Sequence, residues 1–414
     1  MSTPTVSVIV VSRGRAADLP LCLLGISQLD YPNFEVVLVA DSDGLSAVRE
    51  LLFFDDLKVI EFNEANISAA RNLGIAEAAG EVVAFIDDDA VPEPTWLNYL
   101  TAGFRDPDVA AAGGFVIGRN GISFQWKARS VDVFGEAAAL EVAEDQISVL
   151  TPSNGRAIKT EGTNMALRRD VIAQMGGFDP AFRFYLDETD VNFRLMYAGY
   201  RTAIAPLAQV HHGYRASATR RSDRVPTDLF EIGASLAVYL RKHASGNFET
   251  LVRARHDQRR RVLRHMVNGL VEPRDVRRLL ASFDKGVAVG KSREILVIRA
   301  IPNAATGFQP MERRPSSDHA VLAGKRSELR RVLSDAETIV KEGGRASAFI
   351  FSTSARAHKV RFTNGGVWVQ SGGLFGRSIR SGPRYLLNKR RKRISKEVKR
   401  LAMVRGFPTK STWG

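Results

Sequence analysis

The chain has 414 residues, 44% hydrophobic and 25% charged, an ordinary globular composition that excludes wholesale disorder. At about 100 to 200 residues per domain, the length predicts two or three domains. The formal net charge of +14 is unevenly spread: residues 1–250 hold 22 Lys+Arg against 33 Asp+Glu, net −11, and residues 251–414 hold 37 against 12, net +25.

A single cysteine, Cys22, excludes an internal disulfide and a cysteine-built zinc site, and it fits a reducing, cytoplasmic setting. The opening MSTPTVSVIVVSRGR has no basic segment ahead of its apolar run, so a first strand is expected there rather than a leader. No run reaches the roughly 18 apolar residues of a membrane-spanning helix.

In chain order, β-branched runs at Val6–Val11, Glu35–Ala40, Leu57–Phe62 and Val82–Ile86 alternate with helix-length segments at Ala16–Leu29, Leu45–Leu52 and Ile67–Ala79. This order predicts an α/β fold with a parallel, doubly wound sheet whose strands are buried on both faces. Ligands in such sheets bind beyond the carboxyl ends of the strands. There stand Ser12 and Arg13, then Asp41 and Asp43, then Asp87, Asp88 and Asp89.

Further on, Ile158–Leu167 is expected as a strand, Asp190–Ala198 as a helix, Thr202–Ala205 as a short strand, and Thr227–His243 as a closing helix. Residues 215–226 have the composition of a flexible basic loop. The C-terminal part offers arginine-rich helical sequence over Leu251–Leu280, a strand at Ile295–Ile301 and a helix at Ser327–Lys341. An apolar run at Ala346–Ser352 and strand character over Val360–Gln370 suggest a small α/β unit.

Three consecutive aspartates at the end of an apolar strand repel one another, and a hard divalent cation relieves that repulsion. A solvated turn opening a helix is the plainer account. The second acidic group, Asp187-Glu188-Thr189-Asp190, opens a helix, where the dipole favours carboxylates. Alternatively, one of these carboxylates faces the same cleft as a general base, and spacing does not choose. His211-His212 offers imidazoles that complete an oxygen-rich metal site, although an isolated histidine is more often a surface or core residue.

Taken in order, VSVIVVSRGR, VLVADSD, NISAARNLGIAEAAGE, FIDDD, GTNMALRR, GGFD and DETDVNFR resemble the family 2 glycosyltransferases over roughly residues 5–243, most closely a bacterial rhamnosyltransferase-like branch. The resemblance implies the GT-A fold, a Rossmann-like, mostly parallel sheet flanked by helices, and transfer of a hexosyl or deoxyhexosyl group from a nucleotide-diphosphate sugar. It implies donor contacts at Ser12, Arg13, Asp41, Arg71 and Asp87, and Mg²⁺ or Mn²⁺ held by Asp89 with His211, or His212 as the alternative. Asn164 and Asp190 would lie at the sugar or acceptor pocket. The family's Glu-Asp pair is reversed here as Asp187-Glu188. Glu188 therefore falls at the base position, and the base lies between Glu188 and Asp187. Inversion, a glycan or lipid-linked acceptor, and a role in bacterial surface polysaccharide or glycolipid synthesis follow as expectations.

Rival nucleotide sites fail. No G-x-G-x-x-G follows the first strand, and GVAVGKS at 286–292 has one residue too few between its glycines and precedes a strand-like run. In RYLLNKRRKRISKEVKRLAMVRGF, Leu387, Ile394, Val398 and Leu401 form one apolar stripe among basic residues. Such a helix suits the inner face of an anionic membrane, or it packs on its own domain. Domains are therefore expected at 1–245 (catalytic), 246–383 (basic accessory α/β) and 384–414 (basic amphipathic tail). The competing readings are a non-catalytic sugar-nucleotide or glycan-binding protein and a nucleic-acid binder, the latter without any recognisable RNA- or DNA-binding motif.

Overall fold

The computed structural model describes residues 3–304, 306–312 and 318–407. Its main sheet begins with four parallel strands in the spatial order Leu57–Glu61, Phe34–Ala40, Val6–Ser12, Val82–Asp87. Successive side chains of a strand point to opposite faces, and both faces here are covered. Val6, Val8 and Val10 pack on Leu19, Cys22, Leu23 and Ile26 of the helix Leu19–Ile26. On the other face, Ile9, Val37 and Val39 meet Ala70 and Ile75 of the helix Ile67–Glu77. Burial on two faces explains why these strands are continuously apolar.

Beyond Val82–Asp87 the sheet continues through Met165–Arg168, which is antiparallel, to Val109–Ile117 and Arg201–His212, which run parallel to each other. The architecture is thus the expected mostly parallel sheet flanked by helices, with one reversed strand inside it. The carboxyl ends of the four parallel strands, of Val109–Ile117 and of Arg201–His212 therefore share one edge, while short antiparallel strands are added at Ala90–Pro92, Phe124–Trp126 and Ser148–Leu150. His212 therefore emerges at the same edge as Ser12 and Asp87.

Two expected strands differ in extent. The run Ile158–Leu167 is divided into Ala157–Lys159, which belongs to a small antiparallel sheet, and Met165–Arg168. The turn between them contains Gly162, where a Cβ would lie 2.4 Å from an Arg71 nitrogen, so only glycine lets the backbone come this close. The short strand expected at Thr202–Ala205 runs on to His212. It accommodates Pro206, which lacks an N–H, at a ladder irregularity between Ala205 and Gln209.

Helices Phe230–His243, Glu249–Val267 and Pro273–Ser292 follow. GVAVGKS lies inside the last of them, where Cβ atoms at Gly286 and Gly290 would fall 1.9 Å from the carbonyl oxygen of Phe230 and 2.2 Å from that of Ala234. These glycines serve close helix packing rather than phosphate. The strand expected at Ile295–Ile301 is instead an irregular strap, because its hydrogen bonds go to the main domain. Ile301 N–H donates to Ala173 O, and Arg169 donates to Pro302 O and Asn303 Oδ1. Farther along, Gln309 N–H reaches Glu35 and Met311 N–H reaches Phe34 O.

The C-terminal unit is a four-stranded sheet in the order His319–Gly324, Arg345–Ser352, Val367–Gly373, Lys359–Phe362. The single strand expected over Val360–Gln370 is a hairpin, turned where Gly366 N–H donates to Thr363 O. Helix Leu329–Lys341 covers one face through Val332 and Ala336. Helix Arg390–Arg405 covers the other, with Ile394, Val398 and Leu401 buried against Phe349, Phe351 and Leu374. Of the two readings of the apolar stripe, membrane surface or packing on its own domain, Ile394, Val398 and Leu401 follow the second. Leu387 lies outside the helix and is 94% exposed. Residues 408–414 of the expected tail lie outside the described residues. Among the described residues, no helix is long and apolar enough to cross a membrane.

Candidate active site

At the edge formed by the carboxyl ends, loops from the first two strands lock together. Asp41 caps the helix Ser42–Val48 by accepting from Gly44 N–H at 2.9 Å, and its other oxygen accepts from Gly14 N–H at 2.7 Å. Arg13 donates from Nε to Asn63 O at 2.9 Å. The Ser12 hydroxyl donates to Asp88 Oδ2 at 2.8 Å.

The three aspartates diverge. Asp88 turns inward to Ser12 and to Arg15 Nη1 at 2.7 Å. Burial pushes its carboxyl up to about 7 against the pull of Arg15, and the neighbouring Asp89 and Asp87 add to the rise. Asp87 remains partly open at the cleft. Asp89 accepts from Arg215 N–H at 2.7 Å through Oδ2, while its buried Oδ1 is paired with Arg15 Nη1 at 3.3 Å. Burial would raise Asp89, but His212, Arg15 and the Arg215 N–H outweigh it and hold the carboxyl well below its usual range.

One oxygen from each of Asp87 and Asp89 and a ring nitrogen of His212 lie within 4.8 Å of one another. His212 Nδ1 donates to the Gln125 amide oxygen at 3.1 Å, so Nε2 is the ring nitrogen left to ligate a cation. That nitrogen faces Asp89 Oδ1 at 3.1 Å. Two groups that can each ligate a metal, a buried carboxylate oxygen and an imidazole nitrogen, face each other and fit a shared divalent cation. Carboxylate oxygens with one imidazole suit Mg²⁺ or Mn²⁺.

The second acidic group is presented by unusual backbone. Tyr185 (φ 76°) and Leu186 (φ 66°) are both left-handed, a conformation that costs non-glycine residues about 1–2 kcal/mol each. The helix Asp187–Tyr197 starts immediately after them. Asp187 forms a buried ion pair with Arg71 Nη1, and Arg71 Nη2 lies 3.8 Å from Asp87 Oδ1. Arg71 thus ties the two acidic groups to one cleft across 116 residues of sequence. Glu188 accepts from Lys159 Nζ at 2.8 Å, and Lys159 also lies 3.7 Å from Glu161. Burial opposes ionisation of both members of the pair. Lys159 outweighs it at Glu188 and holds that carboxyl low, whereas at Asp187 burial and the Glu188 charge outweigh Arg71 and push the carboxyl up.

Residues 7–175 match the family model described as Glycosyl transferase family 2. That stretch is similar to glycosyl transferase family 2. The chain is 28% identical over 247 residues to O-antigen biosynthesis protein RfbC of Myxococcus xanthus, covering 54% of this chain and 18% of that protein. It is 32% identical over 154 residues to glucosyl-dolichyl phosphate glucuronosyltransferase of Haloferax volcanii, covering 36% and 47%. The chain spans less than half the length of these relatives. Among solved structures, it is similar to a mannosyltransferase from Pyrobaculum calidifontis in complex with GDP-Man and Mn²⁺. There the TM-score is 0.43 and the identity 17%, over 71% of this chain and 89% of that one.

Within and beyond this matched stretch, the edge gathers Ser12, Arg13, Asp41, Arg71, Asp87, Asp89, Asp187, Glu188 and His212. Three expected site residues do not join them. His211 points to the opposite side of its strand, where Nε2 bonds to buried Glu93 at 2.8 Å, so it is no metal ligand. Asn164 spends its side chain on Trp96 Nε1, Phe115 O and Ala208 O in the core. Asp190 is fully buried among His243, Lys242 and Arg194. Neither therefore lines a pocket. The sequence reading also missed Arg15, Lys159 and Gln125. Arg15 had a signal, two residues beyond Arg13 in SRGR. Lys159 and Gln125 had none, since strand pairing alone brings them to the cleft.

Proposed function

We propose that the protein is an inverting glycosyltransferase that moves a hexosyl or deoxyhexosyl group from a nucleotide-diphosphate donor to a hydroxyl of a glycan or lipid-linked acceptor. The observation that carries this reading is the cluster Asp87, Asp89, His212 joined through Arg71 to Asp187 and Glu188. Asp41 and Ser12 stand where the nucleoside would seat, and Arg71 stands between donor and acceptor sides. A divalent cation held by Asp87, Asp89 and His212 would offset the negative charge that develops on the leaving diphosphate.

Glu188 is the base in this reading. It is the more open carboxylate of the pair, and Lys159 keeps it ionised and oriented. It accepts the acceptor's hydroxyl proton as the hydroxyl oxygen bonds to the anomeric carbon and the donor diphosphate departs from the opposite face. One base suffices for such a displacement, by the same geometry as in inverting hydrolases. Asp187 holds Arg71. A role in bacterial surface polysaccharide synthesis is supported by the name of the Myxococcus xanthus relative, and a lipid-linked acceptor by that of the Haloferax volcanii one.

The test is transfer by Glu188→Gln and Asp187→Asn with a donor found by screening nucleotide sugars. Glu188→Gln should bind donor as the parent does and lose at least about 100-fold in turnover. Because Glu188 is held low, the parent rate should show no acid limb near neutrality. A limb near neutral pH together with an active Glu188→Gln would transfer the base role to Asp187. Donor binding without any turnover in the parent would favour a non-catalytic sugar-nucleotide-binding protein.

A further inference from the structure

The C-terminal unit carries a surface that the transferase reading does not use. From Arg377 to Lys396 the chain has nine Lys or Arg and no Asp or Glu; Arg393 is buried and Arg390 is bonded to the Gly324 and Phe351 carbonyls, which leaves the other seven for the surface. Helix Arg390–Arg405 turns its apolar stripe inward, so Arg391, Lys392, Lys396 and Lys399 face outward. The segment leading into this helix does the reverse with its apolar side chains: Leu387 is 94% exposed, Tyr385 71% and Ile379 41%. They are not loose ends of an unfolded stretch, because the backbone around them is pinned. Leu386 N–H donates to Phe375 O, Arg380 N–H donates to Ile122 O, and Gly376 pairs with Tyr385.

From this arrangement we infer that segment 379–389, with the outward face of helix Arg390–Arg405, docks on an anionic lipid bilayer. Exposed Leu and Tyr side chains ringed by cations match the interfacial layer of a bilayer, where apolar groups enter the acyl boundary and basic groups meet acidic headgroups. A nucleic acid would satisfy the charge but leave Leu387 and Ile379 in water. This surface is also joined to the cleft. Arg380 is bonded to the turn at 118–123, which follows Ile117, and Ile117 pairs with His211 beside the cation cluster. From the same turn, Arg119 donates to Ser222 O in the loop whose Arg215 N–H holds Asp89. A bilayer held at 379–389 therefore lies close to the cleft, which suits an acceptor presented from lipid. That last step rests on the transferase reading, whereas the docking itself does not.

The experiment is vesicle co-sedimentation of the full chain, with neutral phosphatidylcholine vesicles and with vesicles containing phosphatidylglycerol. Binding should be at least tenfold tighter to the anionic vesicles and should weaken as salt rises. The double variant Leu387→Ser/Tyr385→Ser, with circular dichroism and melting temperature unchanged, should lose at least fivefold on anionic vesicles. A polynucleotide should not compete at equal charge concentration. Equal binding to both vesicle types, an unaffected double variant, or displacement by polynucleotide would each overturn the proposal. No arm needs donor turnover, so failure here leaves the transferase reading standing, and failure to find a donor leaves this one standing.

Discussion

His211 and His212 are adjacent in sequence and opposite in environment. His212 Nε2 faces Asp89 and Asp87, while His211 donates to Glu93, which is also held by fully buried Arg405 at 2.8 and 3.1 Å. His212→Asn should therefore abolish stabilisation by Mn²⁺ in thermal melts. His211→Asn should keep it and lower the melting temperature through loss of a charge-assisted bond of about 1.5–3 kcal/mol. The sequence showed that a histidine belonged there but not which one, because adjacent strand residues alternate faces and only the pairing register orients them. Glu93 gives a second prediction. Burial would raise its carboxyl, but Arg405 and His211 outweigh it and hold it at about 2, against an ordinary 4.5. A depressed carboxyl contributes stability that is present above pH 4.5 and lost as pH falls towards about 2, roughly 3 kcal/mol in all. Glu93→Gln should lack that acid-side loss and be destabilised at neutral pH by about 3–5 kcal/mol, since it strands Arg405. Denaturant titrations from pH 2 to 7 check both.

Elements with one strong period were legible in the sequence, and those shaped by distant partners were not. The four parallel strands and the helix Ile67–Glu77 fall within a residue or two of expectation because continuous β-branched runs and Ala-rich stretches have few alternatives. Ile295–Ile301 has strand composition but finds its hydrogen bonds at Ala173 and Arg169, so it becomes a strap. Gly286 and Gly290, in the run whose spacing already ruled out a phosphate loop, mark where helix Pro273–Ser292 touches the backbone of Phe230–His243. Gly290→Leu should cost at least about 2–3 kcal/mol in denaturant unfolding, because its side chain would overlap the Ala234 carbonyl, which is backbone and yields little. An unchanged midpoint would show that the two helices separate easily.

At the scale of the whole molecule, the charge split acquires a structural meaning. The acidic half lines one sheet edge with carboxylates, and the basic half includes a second unit, the four-stranded sheet, fastened to the first. The fastening is buried: Arg405 on Glu93, Thr95 on the Val404 carbonyl, and Gln28 on the Gly366 carbonyl. None of this was readable from the sequence, since it joins residues roughly 300 positions apart whose local patterns are unremarkable. The acidic half was legible because its chemistry sits at strand ends, where the fold itself collects ligands. The central claim is that Asp87, Asp89 and His212 hold a divalent cation through which a nucleotide-diphosphate sugar is used. The most direct measurement is release of nucleoside diphosphate from a panel of nucleotide sugars, with and without Mn²⁺, by the parent chain and by Asp89→Asn. The account predicts cation-dependent release from at least one donor by the parent and loss of at least about 100-fold in a folded Asp89→Asn. Undiminished release in the presence of a chelator, or equal release by the variant, would contradict it.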